Sequence, residues 1–106
     1  MSVTISGTGV FTPSQKISNK ELVQSYNKYA DSHNEKHKIE ISEGLIKELT
    51  LSSVDFIEKV SGIKNRYVLD KKGILDPNRM RPSLEERSNE EPSIQAEIGV
   101  IACQEA

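Results

Sequence analysis

The stretch Ser93–Ala106 constrains the chain more than any other, because as a helix it offers neither of two faces to water. Ile94, Ile98, Ile101 and Ala102 share one face, and Ala96, Gly99 and Cys103 make a second face of small residues. A helix that is apolar or small on two sides is built to be sandwiched. Pro92 suits its first turn, having no N–H to leave unpaired. The chain stops at Ala106 with no helix stop signal in sight. The other residues offer little cover, since only 35% of the 106 residues are hydrophobic and a small domain buries a small share of its surface. The expectation is a piece of a larger protein.

Several classes fall away on composition. A net charge of −2 argues against nucleic acid as a partner, which calls for a basic surface. The single cysteine, Cys103, forbids an internal disulfide and fits a reducing compartment. Met1–Gly7 has neither the charged nor the long apolar region of a signal peptide. No apolar run approaches membrane-spanning length, so no membrane partner is expected and the default location is cytoplasmic.

Along the chain, Val3–Phe11 reads as a strand, with Gly7 and Gly9 marking a bulge or a close backbone approach. The third glycine of a dinucleotide fingerprint is missing. A helix begins at Ser18, which with Glu21 forms a capping box, while Ile17 and Leu22 form a hydrophobic staple. Leu22, Val23, Tyr26 and Tyr29 follow on one face. Asp31–Glu40 is polar and reads as a solvated loop, so His33 and His37 are expected in water rather than on a metal. Ser42–Leu49 reads as a short helix. Ser52 reads as the cap of the next helix, with Leu51 and Phe56 as its staple, and Gly62 suits the left-handed position that ends it. Lys64–Leu69 reads as a strand and Asp70–Gly73 as a turn. Ile74–Glu91 is long and irregular, broken by Pro77 and Pro82.

Four segments, taken in order, resemble the start of the beta-ketoacyl-acyl carrier protein synthase III family of the thiolase superfamily. They are Ile5–Pro13, Ile17–Leu22, Phe56–Val68 with its Gly62-Ile63-x-x-Arg66 pattern, and the small-residue helix Ser93–Ala106. The resemblance implies an α/β chain, the incomplete N-terminal portion of a thiolase-like αβαβα fold. Residues 1–106 then form part of the first thiolase-like half, with insertions at 31–50 and 74–91.

The family's chemistry is implied in the same way. A cysteine takes an acyl group from acyl-CoA. A histidine and an asparagine then promote decarboxylation of malonyl-acyl carrier protein, and the carbanion attacks the acyl-enzyme. Covalent catalysis splits one hard condensation into two easier steps, and an oxyanion hole stabilises the developing charge. The coenzyme A thioester is a substrate, and no cofactor is implied. The implied partners are acyl-CoA, acyl carrier protein and a second copy of the enzyme in a homodimer, with 74–91 at or near its interface.

The resemblance places no catalytic residue in this chain. Ala102-Cys103-Gln104 mimics the setting of the family's nucleophile, but that residue opens a buried helix, where the helix N-terminus favours the thiolate. Cys103 lies about three turns into its helix and reads as a structural residue. The family's catalytic histidine lies far downstream, so neither His33 nor His37 matches it. Phe56 matches a family aromatic that stacks on the adenine of coenzyme A, and Ser52 matches a nearby polar contact. Phe56 read by itself is the staple residue of its helix. Val60 stands where better-known members carry a basic residue, which implies either a weakened coenzyme A contact or a different class of acyl donor. Lys64, Arg66, Arg79, Arg81 and Arg87 are either contacts for an acidic carrier protein or scattered surface charge, and Arg66 has a structural role open to it as well. The competing readings are another thiolase-superfamily activity, a short enzyme with Cys103 as nucleophile, and a small standalone interaction module.

Overall fold

The computed structural model describes residues 2–106. They form two compact units, one of Ser14–Ser83 and one joining the residues up to Pro13 with Leu84–Ala106.

The unit Ser14–Ser83 is built around one long helix. Strand β1 (Gln15–Ser18) leads directly into α1 (Asn19–Lys36), followed by α2 (Lys38–Ser42), α3 (Val54–Ser61), strand β2 (Asn65–Val68) and the short α4 (Lys71–Leu75). The capping box forms as expected. The Ser18 hydroxyl accepts from the Glu21 amide at 3.2 Å, and the Ser18 amide donates to the Glu21 carboxylate at 2.9 Å. Two of the free N–H groups at the helix start are satisfied by this exchange.

β1 is too short and polar to announce itself in the sequence, and pairing makes it a strand. It runs antiparallel to β2, with Ile17 opposite Arg66 and Ser18 opposite Asn65. Ile17 is 1% exposed and forms the core with Val23 and Ala30. Because the register sets Arg66 across from Ile17, the inward face of β2 carries Arg66 and Val68, while Tyr67 and Leu69 face water. Arg66 is satisfied there by the side chain of buried Asn19, to which it donates at 2.8 Å. Asn19 donates in turn to the Ile63 carbonyl at 2.6 Å. Arg66 therefore ties strand to helix, the structural role left open for it.

Four expectations in this unit are corrected. Asp31–Glu40 is not a loop: Asp31–Lys36 is the end of α1 and Lys38–Glu40 opens α2, in a stretch without Gly or Pro where Asn34 is anchored through its side chain to Leu49. His33 and His37 are accordingly half-buried at the helix end rather than on a solvated loop. Ser42–Leu49 is not a helix. Gly44, at φ 76°, ends α2 with a complete Schellman motif, Leu45 N–H to Glu40 C=O at 2.9 Å and Gly44 N–H to Ile41 C=O at 3.1 Å. The cap of α3 is Ser53, one residue later than expected, and its hydroxyl accepts from the Phe56 amide at 3.1 Å. Gly62 ends α3 at φ 72°, as its sequence position predicts. The expected turn at Asp70–Gly73 tightens into the first turn of α4, capped by Asp70.

In the other unit, α5 (Ile94–Glu105) is capped by Ser93. Ile94, Ile98 and Ala102 are half-buried, and no residue of α5 is fully buried. The glycine pair does make a close backbone approach: a Cβ on Gly9 would collide with the Ala102 carbonyl oxygen, and one on Gly7 with that of Ala106. Val3–Phe11 is nevertheless not a strand. A strand requires a hydrogen-bonded neighbour, and the sheet among the described residues holds only β1 and β2. Val3 and Ile5 stand 93% and 84% exposed.

Candidate functional site

An open apolar groove of about 740 Å³ runs along α1 in the unit Ser14–Ser83. α1 contributes Leu22, Val23 and Tyr26, α3 contributes Phe56 and Ile57, the chain between them contributes Thr50–Ser53, and Met80 completes the lining. None of these side chains is charged, and the polar groups are hydroxyls and backbone. A groove of this size and composition suits a flat or aliphatic group held by contact, with orientation from a few hydrogen bonds.

The segment lining the groove has no regular structure, so its backbone groups need partners from elsewhere. α1 supplies them through two asparagines seven residues apart and thus on one face. The Asn27 side chain accepts from the Ser52 amide at 2.8 Å and donates to the Ser52 carbonyl at 3.0 Å. Asn34 does the same for Leu49, at 2.9 Å in each direction. Tyr26 adds a hydrogen bond from its hydroxyl to the Thr50 carbonyl at 3.1 Å. Each asparagine thereby behaves as one rung of a β-ladder.

Phe56 and Ser52, the two residues singled out for substrate contact, both line this groove. Phe56 is 60% exposed. With the cap at Ser53, the staple positions fall on Ser52 and Ile57 rather than Leu51 and Phe56. That frees the Phe56 ring to face outward. Val60 is exposed on the same helix. Sequence reasoning missed Tyr26, Met80 and the asparagine clamps as parts of the site. The spacing of Asn27 and Asn34 is visible in the sequence, but their partners lie on a segment that only the fold brings alongside.

Three of the five cationic residues singled out have hydrogen-bond or ion-pair partners of their own. Lys64 pairs with Glu58 at 3.6 Å, Arg66 with Asn19, and Arg87 with Glu97 and the Pro92 carbonyl. Arg79 lies close enough to Asp70 to help hold its carboxyl below the ordinary range, although the amides of Ser83 and Gly73 are the larger causes. Lys71 donates to the capping carboxylate of Glu21 at 2.8 Å. That bond comes first, and the Ser18 amide second, in depressing the Glu21 pKa.

The rings of His33 and His37 meet at a tilt of 48° with centroids 4.6 Å apart, and both Nδ1 atoms are buried without a hydrogen-bond partner. No cluster of three or more metal-ligating side chains occurs among the described residues. Cys103 is exposed, toward the C-terminal end of α5 and remote from its capped start.

No family model matches the chain. Over 84 residues, 79% of its length, it is 49% identical to the beta-ketodecanoyl-[acyl-carrier-protein] synthase of Pseudomonas aeruginosa (strain PAO1). The matched stretch is 24% of that protein, so the chain spans about a quarter of the length of this curated relative.

Proposed function

We propose that the chain belongs to the ketoacyl synthase III-like enzymes of the thiolase superfamily and forms part of a condensing acyltransferase of fatty acid synthesis, a reading supported by its 49% identity over 84 residues to a beta-ketodecanoyl-[acyl-carrier-protein] synthase. The reaction is decarboxylative condensation of acyl-CoA with malonyl-acyl carrier protein, giving 3-oxoacyl-acyl carrier protein with release of coenzyme A and carbon dioxide. The groove beside Phe56 receives the adenine end of coenzyme A. The parent enzyme acts as a cytoplasmic homodimer that meets the carrier protein. No helix among the described residues is long and apolar enough to cross a membrane.

One observation carries the assignment of the groove: Phe56 is turned out of its own helix packing and shares an uncharged groove with Ser52. An aromatic face without competing contacts stacks readily on a planar ring. The hydroxyls of Ser52 and Ser53 lie within the same lining to meet polar edges. The acyl-accepting nucleophile is not Cys103. An attacking thiolate needs a basic neighbour or the positive end of a helix, and Cys103 sits near the opposite end of α5.

Saturation-transfer NMR with coenzyme A and the 106-residue chain tests the groove. Saturation is expected to reach the adenine protons in the wild type and to weaken by about fivefold in Phe56→Ala, in line with one lost aromatic contact. Equal transfer in the two proteins, or none in the wild type, overturns the assignment.

A further inference from the structure

Met80 lines the groove in a backbone conformation that a methionine rarely adopts, at φ 52°, the single non-glycine residue with positive φ among those described. The local cause is clear. Asp76 opens a single helical turn: its carboxylate accepts from the Asn78 amide at 2.9 Å, and Pro77 sits at the first turn position. The Asp76 carbonyl accepts from both Arg79 N–H at 3.0 Å and Met80 N–H at 2.8 Å. Met80 thus occupies the left-handed position that closes a turn, where glycine or asparagine is free of steric penalty.

A turn alone gives no reason for a long side chain at that point. Strain of this kind persists where the surroundings over-determine it, and it gathers at ligand-binding positions. Here the Met80 sulfur lies 3.3 Å from the Ser25 hydroxyl, which donates to the Leu75 carbonyl at 2.6 Å. The segment's far end is tied by the Ser83 amide to the Asp70 carboxylate. Both ends of the strained turn are therefore anchored, and Met80 is held in the wall of the groove. A flexible, polarizable thioether is well suited to pack on an aromatic ring.

We propose that Met80 is a specificity-determining wall of the groove, packing on the purine ring that Phe56 stacks against, so that the irregular stretch after α4 is a ligand-binding element. This inference rests on the coenzyme A reading of the same groove. The chain has two methionines, so labelling the methionine methyl groups with carbon-13 gives a signal for Met80 that Met80→Gly identifies. On titration with coenzyme A, the Met80 methyl resonance is expected to move upfield saturably, in step with the Phe56 ring resonances. Met80→Gly relieves the backbone strain, so Tm should hold or rise while the affinity for coenzyme A falls by about fivefold. If Phe56 responds and the Met80 methyl does not, or if Met80→Gly binds as tightly as the wild type, Met80 is only a turn residue and the inference fails alone. If neither resonance responds, the coenzyme A reading fails and takes the inference with it.

Discussion

Asn27 and Ser52 exchange two hydrogen bonds of 2.8 and 3.0 Å, side chain to backbone in both directions, and through them α1 holds the segment that introduces Phe56. Removing the asparagine amide leaves the half-buried amide and carbonyl of Ser52 without partners. Asn27→Ala is expected to lower stability by about 1–2 kcal/mol, read from urea denaturation, and to weaken coenzyme A binding along with it. Asn34→Ala should cost a similar amount at Leu49 without affecting binding. Equal stability of Asn27→Ala and wild type would show that water replaces the clamp at no cost.

The Glu21 carboxylate completes the cap of α1 and pairs with Lys71, and both contacts hold its pKa below the ordinary 4.5. A depressed folded-state pKa means that the unfolded chain binds the proton first. The stabilisation is therefore present above the ordinary value and lost as pH falls through the folded one. Urea midpoints measured from about pH 7 down to about pH 3 should decline through that window. Lys71→Met removes the largest cause and should flatten the decline. The share due to Asp70, whose carboxyl is depressed by other partners, should persist. A Lys71→Met profile parallel to the wild type would count against the pairing.

Gly62 isolates a purely conformational effect. Its φ is 72°, and a Cβ built there meets nothing within 4 Å. Gly62→Ala should therefore destabilise by about 1 kcal/mol, the cost of a left-handed L-residue, with no steric contribution added. Thermal melting of the two proteins provides the comparison, and an unchanged Tm would mean that the end of α3 relaxes without effect on the rest.

Cys103 separates exposure from activation. An exposed thiol should react readily with a disulfide reagent in the folded chain, while incubation with acyl-CoA should leave its mass unchanged. Cys103→Ser should alter stability by no more than about 0.5 kcal/mol. A thioester on Cys103 in the mass spectrum would restore it as a nucleophile.

What the amino-acid sequence determined by itself was chiefly local. The Ser18–Glu21 box, the left-handed Gly62 and the breaks at Pro77 and Pro82 each depend on groups within a few residues, so the pattern is readable without the fold. Phe56 and Ser52 were singled out through a family resemblance rather than through a local signal, and what the structure adds is that both line one groove. Tertiary structure decided what depends on distant partners. β1 exists because β2 lies beside it, and the last turns of α1 hold because Asn34 finds Leu49. Val3–Phe11, though patterned as a strand, has no neighbour to pair with among the described residues. The groove belongs to this second kind: its walls come from separate stretches of the chain, and a hydrogen bond across such a separation leaves no periodic mark on the sequence that makes it.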